Sequence, residues 1–366
     1  MSLFIDFHAI QLVPPSNLNR DDTGSPKSAR FGGVERHRVS SQAWKRAMRR
    51  DFHNVLDESQ LGERTKHAAS LIAEQLKQNR NELSDDDAMQ AAQKALAAAN
   101  ITMDKKRPKE TGALIFLARE EIAKLAQFAA DILDGQTLKR SDVKKAIDSA
   151  QAVDVALFGR MLANLPELNV DASCQVKHAL SVHQAIQEFD YFTAVDDLAP
   201  EDNAGAGMIG TVEFVSSTLY RYATINATKL VENIGSTQAA AEAARAFTQV
   251  FTTSMPTGKQ NTFANRTRPD FLLVEIRDDQ PVELGNAFED PIPNKGEASK
   301  LAAQRLVEYA IDGDAQYATK PVDSFYLAID RVSSPELQEA LDGRAVQLTL
   351  PDIVDRVAQS LANLEV

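Results

Sequence analysis

From about residue 57 to 150 a β-patterned chain is interrupted by a block dominated by alanine, leucine, glutamate and lysine. Helical spacing in it is clearest at Leu114, Ala118, Ile122, Leu125, Ala129 and Ile132, and Gly135 is suited to ending that helix. Ser84 and Ser141 read as further N-caps. Ahead of the block, Leu3 to Val13 reads as a strand broken at Pro14-Pro15. A long polar loop NRDDTGSPKSARFGG and a ribbon VERHRVS follow. The next helix, capped by Ser40 or Ser41, has Trp44, Met48, Phe52 and Val55 on one face. Behind the block, β signal returns in CQVKHALSVHQAIQ and TVEFVSSTLYRYATIN. Helices near 237–253, 298–311 and 351–363 then alternate with strands at FLLVEIR and FYLAIDR. Strand, helix, helical excursion, strands, helix, strand is an α+β layout.

The chain has 366 residues, enough for two or three modules. Its one cysteine, Cys174, excludes an intrachain disulfide, and no Cys/His group has zinc-ligand spacing. The apolar start carries Asp6 and His8 and lacks the features of a signal peptide, and no apolar run approaches the roughly 18 residues of a membrane span. The expectation is a cytoplasmic protein with no membrane partner.

A net charge of −12 argues at first against a polyanion partner, but only if charge is evenly spread. It is not. Between Arg20 and Arg50 stand nine cations (Arg20, Lys27, Arg30, Arg36, Arg38, Lys45, Arg46, Arg49, Arg50) against Asp21, Asp22 and Glu35. Gln42, Lys45, Arg46 and Arg49 share one polar helix face opposite the Trp44 side. That face and the helix start suit a phosphate chain, the alternative being a solvated face paired with acids elsewhere. A second basic segment, PTGKQNTFANRTR, holds Lys259, Arg266 and Arg268 with Gln260 and Asn261 and no acid. Two such segments in one acidic chain favour nucleic-acid contact. The cluster Lys139, Arg140, Lys144 and Lys145 reads on its own as solvated helix.

Gln184 to Phe214 is the reverse: seven acids, no Lys or Arg, and the aromatics Tyr191 and Phe192. The GAGMIG within it is formally GxGxxG but lacks the strand before and helix after that a dinucleotide site needs. It fits the turn of an extended hairpin with Met208 and Ile209 at an apolar tip. Catalytic signal is thin: no HExxH, no GxSxG, no Walker loop and no Cys/His nucleophile arrangement, so no enzyme activity and no cofactor is expected. The alternative is a metal-dependent endoribonuclease using Asp21/Asp22, although such a pair more often orders its own loop.

The runs LNRDDTGSPKSARFGG, RVSSQAWKRAMR, VDVALFGRM, DYFTAVDDL, GTVEFVSSTLYRYATIN and GKQNTFA, in this order, resemble the type I-E CRISPR Cascade backbone subunits of the CasC/Cse family. The resemblance spans about residues 10 to 270. It implies a modified RRM-like palm (1–56 and 150–330), a helical fingers insertion (57–149), a thumb β-hairpin (184–214) and a C-terminal helical segment (331–366). It further implies a non-catalytic scaffold whose copies polymerise along the CRISPR RNA, with other Cascade subunits, target DNA and, indirectly, a recruited helicase-nuclease as partners. By the same resemblance Arg20, Lys27, Ser40, Gln42, Lys45, Arg46 and Arg49 match guide-backbone contacts, and Lys259, Gln260 and Asn261 a second guide-binding loop. Met161, Phe192 and Ile209 match residues that wedge against bases. Lys139, Arg140, Lys144 and Lys145 approximate a basic finger helix that touches target DNA, though with different local spacing.

Overall fold

The computed structural model describes residues 2–136, 143, 152–161, 166, 169–194, 208–293, 296–362 and 364, without the side chains of Ala194, Met208 and Ile209. The Ser141 cap and the hairpin turn at 205–207 lie outside the described residues. Two units divide the chain: Met1–Arg50 with Val176–Thr224 and Phe247–Val357, and Asp51–Gln175 with Ile225–Ala246 and Ala358–Val366.

The first unit is built on β1 (Phe4–Ser16), β2 (Ser28–Phe31) and β3 (Val34–Val39), followed by helix α1 (Ser41–Phe52). β1 pairs antiparallel with FLLVEIR (Phe271–Arg277), from Phe4↔Arg277 to Ile10↔Phe271. That partner is buried at all seven positions because helices cover both faces. Odd-numbered Phe7 meets Phe247 and Phe251 of the helix Thr237–Thr253, with ring centroids 5.4 and 5.5 Å away. Ile10, Phe271 and Leu273 face the other way, into a cluster with Leu306 and Val307 of the helix Ala298–Tyr317. On the far side of FLLVEIR runs Asp323–Ala328, antiparallel, with a parallel edge strand Val346–Gln347 beyond it. The long strand Met208–Asn226 lies on the other side of β1, and Ala179–Ser181, β3 and β2 continue the sheet. The result is a large mixed sheet with helices, an α+β fold. β1 is not broken at Pro14-Pro15 but runs to Ser16. Both prolines lie beyond Ile10, the last residue paired with FLLVEIR, where that side of the ladder demands no N–H.

The second unit contains β4 (Gly62–Thr65), α2 (Ala68–Asn79), α3 (Asp85–Ala98), β5 (Ile115–Ala118) and α4 (Arg119–Leu133). The insertion is therefore not all-helical. Ile115-Phe116-Leu117, expected as the start of a helix, pairs antiparallel with β4, as a β-branched and aromatic run does when a partner strand is present. The helix starts at Arg119, and Gly135 ends it with φ 78°. The three helices pack through Ala69, Ile72, Leu76, Ala88, Ala92, Ala95, Leu125, Ala126 and Ala129. Ser84 Oγ accepts the Asp87 N–H at 3.1 Å, the expected cap of α3. Glu121 accepts the Ala118 N–H at 2.7 Å and pairs with Arg160 at 2.8 Å, both side chains 1% exposed. Burial pushes the Glu121 carboxyl up, against the pull of Arg160. Among the described residues no helix is long and apolar enough to cross a membrane.

Arg160→Ala strands the buried Glu121 carboxylate and is expected to destabilise the chain by about 3–5 kcal/mol. Urea unfolding of variant and parent, followed by circular dichroism, checks this; coincident curves would contradict it.

Candidate nucleic-acid interface

Helix α1 is set by its caps and by what lies beneath it. Asn19 Oδ1 accepts the Ser40 N–H at 2.9 Å, and Ser40 Oγ accepts the Ala43 N–H at 3.3 Å. His178 Nδ1 accepts the Ser41 N–H at 2.8 Å. Burial, then Arg38 and Lys27, hold the His178 imidazole below its ordinary pKa, in keeping with its acceptor role. Trp44, Met48 and Phe52 are buried as their spacing implied. Val55 is not part of that face: the helix ends at Phe52 and Val55 is 42% exposed.

Beneath Trp44 lies Arg221, buried, with its guanidinium 3.7 Å from the Trp44 ring and 4.6 Å from that of Phe251. It donates to Gln11 Oε1 at 2.7 Å and to the Phe251 carbonyl. Burial lowers its pKa to about 9, so it remains a cation at neutral pH.

The polar loop after β1 is ordered by its own side chains. Asn17 Nδ2 donates to the carbonyls of Gly24, at 3.0 Å, and Glu213, at 2.8 Å. Arg20 bridges to Pro26, and the Lys27 N–H reaches the Asn19 carbonyl at 2.9 Å. Asp21 Oδ1 takes hydrogen bonds from Thr23 Oγ1, the Thr23 N–H and the Ser25 N–H, at 2.7, 2.9 and 3.0 Å. These bonds, that of the Thr23 hydroxyl first, hold the Asp21 carboxyl below the usual range. Its geometry is that of a loop-ordering Asx turn. Among the described residues no three His, Cys, Asp or Glu side chains are grouped to hold a metal ion.

A loop far away in sequence closes the site. Gly258 packs so tightly that a Cβ there would sit 2.2 Å from the Leu18 carbonyl oxygen and 2.7 Å from that of Asn17. Lys259 follows with φ 49°, turning the chain into the short helix Gln260–Phe263. The two basic segments thereby meet in one cleft of about 580 Å³, lined by Asn19, Arg20, Asp21, Ser40, Gln42, Arg46, Arg50, Thr257 and Lys259 among others. Four cations face one acid whose hydrogen bonds go to its own loop.

Of the residues singled out from the sequence, Arg20, Ser40, Gln42, Arg46 and Lys259 line this cleft. Lys45 and Arg49 are half-buried on α1 and have interactions within the chain. Lys27 is half-buried near His178, Gln260 half-buried, and Asn261 exposed. Arg36 is no part of a binding surface. Its guanidinium is buried and donates to the carbonyls of Phe31, Ser181, Phe288 and Glu289. Met161, in the second unit, is 83% exposed. Phe192 is 38% exposed on Gln187–Ala194, across from Gly210, where a Cβ would be 2.4 Å from its ring. Phe189 and Tyr191 on the same strand are more exposed still, at 66% and 63%. Ile209 pairs across from Thr193. Its side chain, and Lys139, Arg140, Lys144 and Lys145, lie outside the described residues. Sequence reading missed Asn19, Thr257, Gly258 and His178, and counted Arg50 among the cations of its segment without making it a site residue; only the glycine among donors at 256–261 gave a local hint.

Comparison with known proteins follows the same lines. A family model described as CT1975-like protein matches residues 5–356. A chain of a "CRISPR RNA-guided surveillance complex, pre-nicking" is 32% identical, with a TM-score of 0.85 over 98% of this chain and 100% of that one. A chain of a "CRISPR RNA-guided surveillance complex" is 28% identical, with a TM-score of 0.75 over 98% and 99%. No curated protein matches.

Gly258→Ala forces the loop off Leu18 and is expected to cost about 1–3 kcal/mol. Gly313→Ala, in the helix Ala298–Tyr317 with open space at the Cβ position, should be neutral or stabilising by up to about 1 kcal/mol. Equal urea midpoints for the two variants would remove the packing argument.

Proposed function

The chain belongs to the CT1975-like protein family of CRISPR Cascade backbone subunits, and from this we propose that it is a non-catalytic scaffold that binds the guide RNA along the cleft described above. The observation that carries the proposal is convergence: Arg20, Arg46 and Lys259, from segments far apart in the unit's sequence, line one cleft. An acidic chain has little electrostatic reason to gather cations there except to meet a polyanion. Cations neutralise phosphates without reading bases, while the Gln42 and Asn261 amides suit ribose hydroxyls or phosphate oxygens. Sequence is then read by guide–target pairing and the protein grips backbone and shape.

On this reading the large sheet is the RRM-like palm, 57–149 the fingers and 184–214 the thumb. Copies of the chain follow one another along the RNA, beside other Cascade subunits, and support pairing with target DNA. The exposed Phe189, Tyr191 and Phe192 favour a thumb that acts by apolar contact with bases or with the next copy, and the exposed Met161 of the second unit suits the same kind of contact.

Protein purified with its guide should carry nucleic acid in its absorbance ratio. A monomeric, RNA-free chain indifferent to added guide at low salt would overturn the proposal. Lys27→Ala, Lys45→Ala and Arg46→Ala should each weaken RNA binding to a similar degree across guide sequences, and each should flatten the log K against log [salt] slope by about 0.7–1. Filter binding over a salt series reads both quantities. Complementary RNA incubated with the assembly and Mg²⁺ should stay intact; cleavage lost on Asp22→Ala would replace the scaffold with a nuclease.

A further inference from the structure

The second unit carries a basic loop that the cleft does not use. Between α3 and β5, residues 105–109 read Lys-Lys-Arg-Pro-Lys, four cations in five positions, all exposed. The run is held rigidly. Met103 bridges to Thr111, the Asp104 N–H reaches the Glu110 carbonyl at 2.8 Å, and the Gly112 N–H reaches that of Thr102 at 2.8 Å. Asp104 Oδ1 accepts the N–H groups of Lys106 and Arg107 at 2.8 and 3.1 Å, an Asx-type turn that points the loop outward. At its base Thr111 is fully buried, its N–H on the Lys66 carbonyl at 2.8 Å. Gln93 Nε2 clamps the Pro108 carbonyl at 2.9 Å.

The flanking acids, two carboxylates against four cations, neutralise the loop only in part. Asp104 is engaged by backbone N–H groups, and Glu110 pairs with Arg107 at 3.1 Å. Among the described residues Lys105, Lys106 and Lys109 form no ion pair within the chain. Three lysines therefore stand on a pre-ordered turn without an ion-pair partner among the described residues, although the Asp85 charge reaches Lys109.

We propose that this loop is a second nucleic-acid contact, gripping the phosphate backbone of a strand other than the one in the cleft. A protein partner fits less well. Protein interface cores are depleted of lysine and anchored by large aromatic or aliphatic side chains, and residues 104–110 offer only the small Pro108 ring. Mobile point charges without an apolar anchor suit a phosphate chain, whose affinity comes from counterion release and needs no shape match. The contact is blind to sequence. It needs a phosphate backbone but not the identity of the strand in the cleft.

The test is fluorescence anisotropy over a salt series on the purified, guide-loaded chain, with a labelled DNA duplex unrelated to the guide and an RNA of the same sequence. The combined variant Lys105→Ala, Lys106→Ala, Lys109→Ala should bind the duplex about tenfold more weakly at low salt, with its log–log slope reduced by about 2–3, while its bound guide stays at the parent level. The combined lysine-to-arginine variant at the same positions should restore both. A preferential loss with the RNA probe would assign the loop to RNA rather than DNA. Unchanged affinity and slope with both probes, failure of the arginine variant, or loss of bound guide from the alanine variant would each overturn the proposal. A parent preparation with no bound RNA would sink the guide-scaffold reading instead, and the duplex measurement would still report on the loop.

Discussion

One buried cation, Arg221, organises the face that carries the cleft. Arg221 projects from the sheet surface opposite Tyr220 and Tyr222, and its guanidinium lies between the rings of Trp44 and Phe251. Its hydrogen bonds go to neutral oxygens, those of Gln11 and the Phe251 carbonyl. A desolvated cation–π contact is worth about 2 kcal/mol, and here it faces aromatic rings on two sides. Sheet, helix Thr237–Thr253 and helix α1 thus meet at one planar group that tolerates little displacement. The angle at which α1 presents Gln42 and Arg46 follows from that seat. Lysine, with a compact and strongly hydrated charge, could not fill it in the same way.

Preorganisation continues into the loops. Asn17, Asn19 and Asp21 each spend a side-chain oxygen or amide on the backbone of the loop that follows β1 or of the helix start beyond it. A polar loop of this length would ordinarily be mobile. Here the ordering cost is met on folding, so less remains to be met on binding. Gly258 extends the same logic across the chain, since only a residue without a side chain lets the second basic segment close on Leu18.

Much of this was legible beforehand, and the reasons are local. FLLVEIR is a strand because its β-branched and aromatic residues pack under two layers, and Ser84 caps a helix because its hydroxyl reaches an orphan N–H. The failures are equally physical. Leu114 to Ala118 carried helical spacing, but β4 offered a ladder that periodicity cannot see. Pro14-Pro15 looked like a stop and proved harmless beyond the paired stretch. Arg36 counted as a surface cation although four carbonyls hold it in the interior. Basic runs around 20–50 and 256–268 could be found from charge alone. Their meeting in one cleft could not, because it depends on Asn19 and the buried Arg221, which have no local signature, and on the close approach of Gly258 to Leu18, which a glycine among donors only hints at.

The helical trio of the second unit has a core made largely of alanine. Such helices approach closely and lose little side-chain entropy, but each residue removes little apolar surface from water. The free energy holding the trio together is therefore thinly spread, and local opening should take less work there than in the phenylalanine-rich sheet, with correspondingly faster amide exchange. Size is also more tightly restricted than polarity at those contacts. A serine fits where alanine stands, whereas a valine has nowhere to go, so drift in that core should run toward small residues of either character.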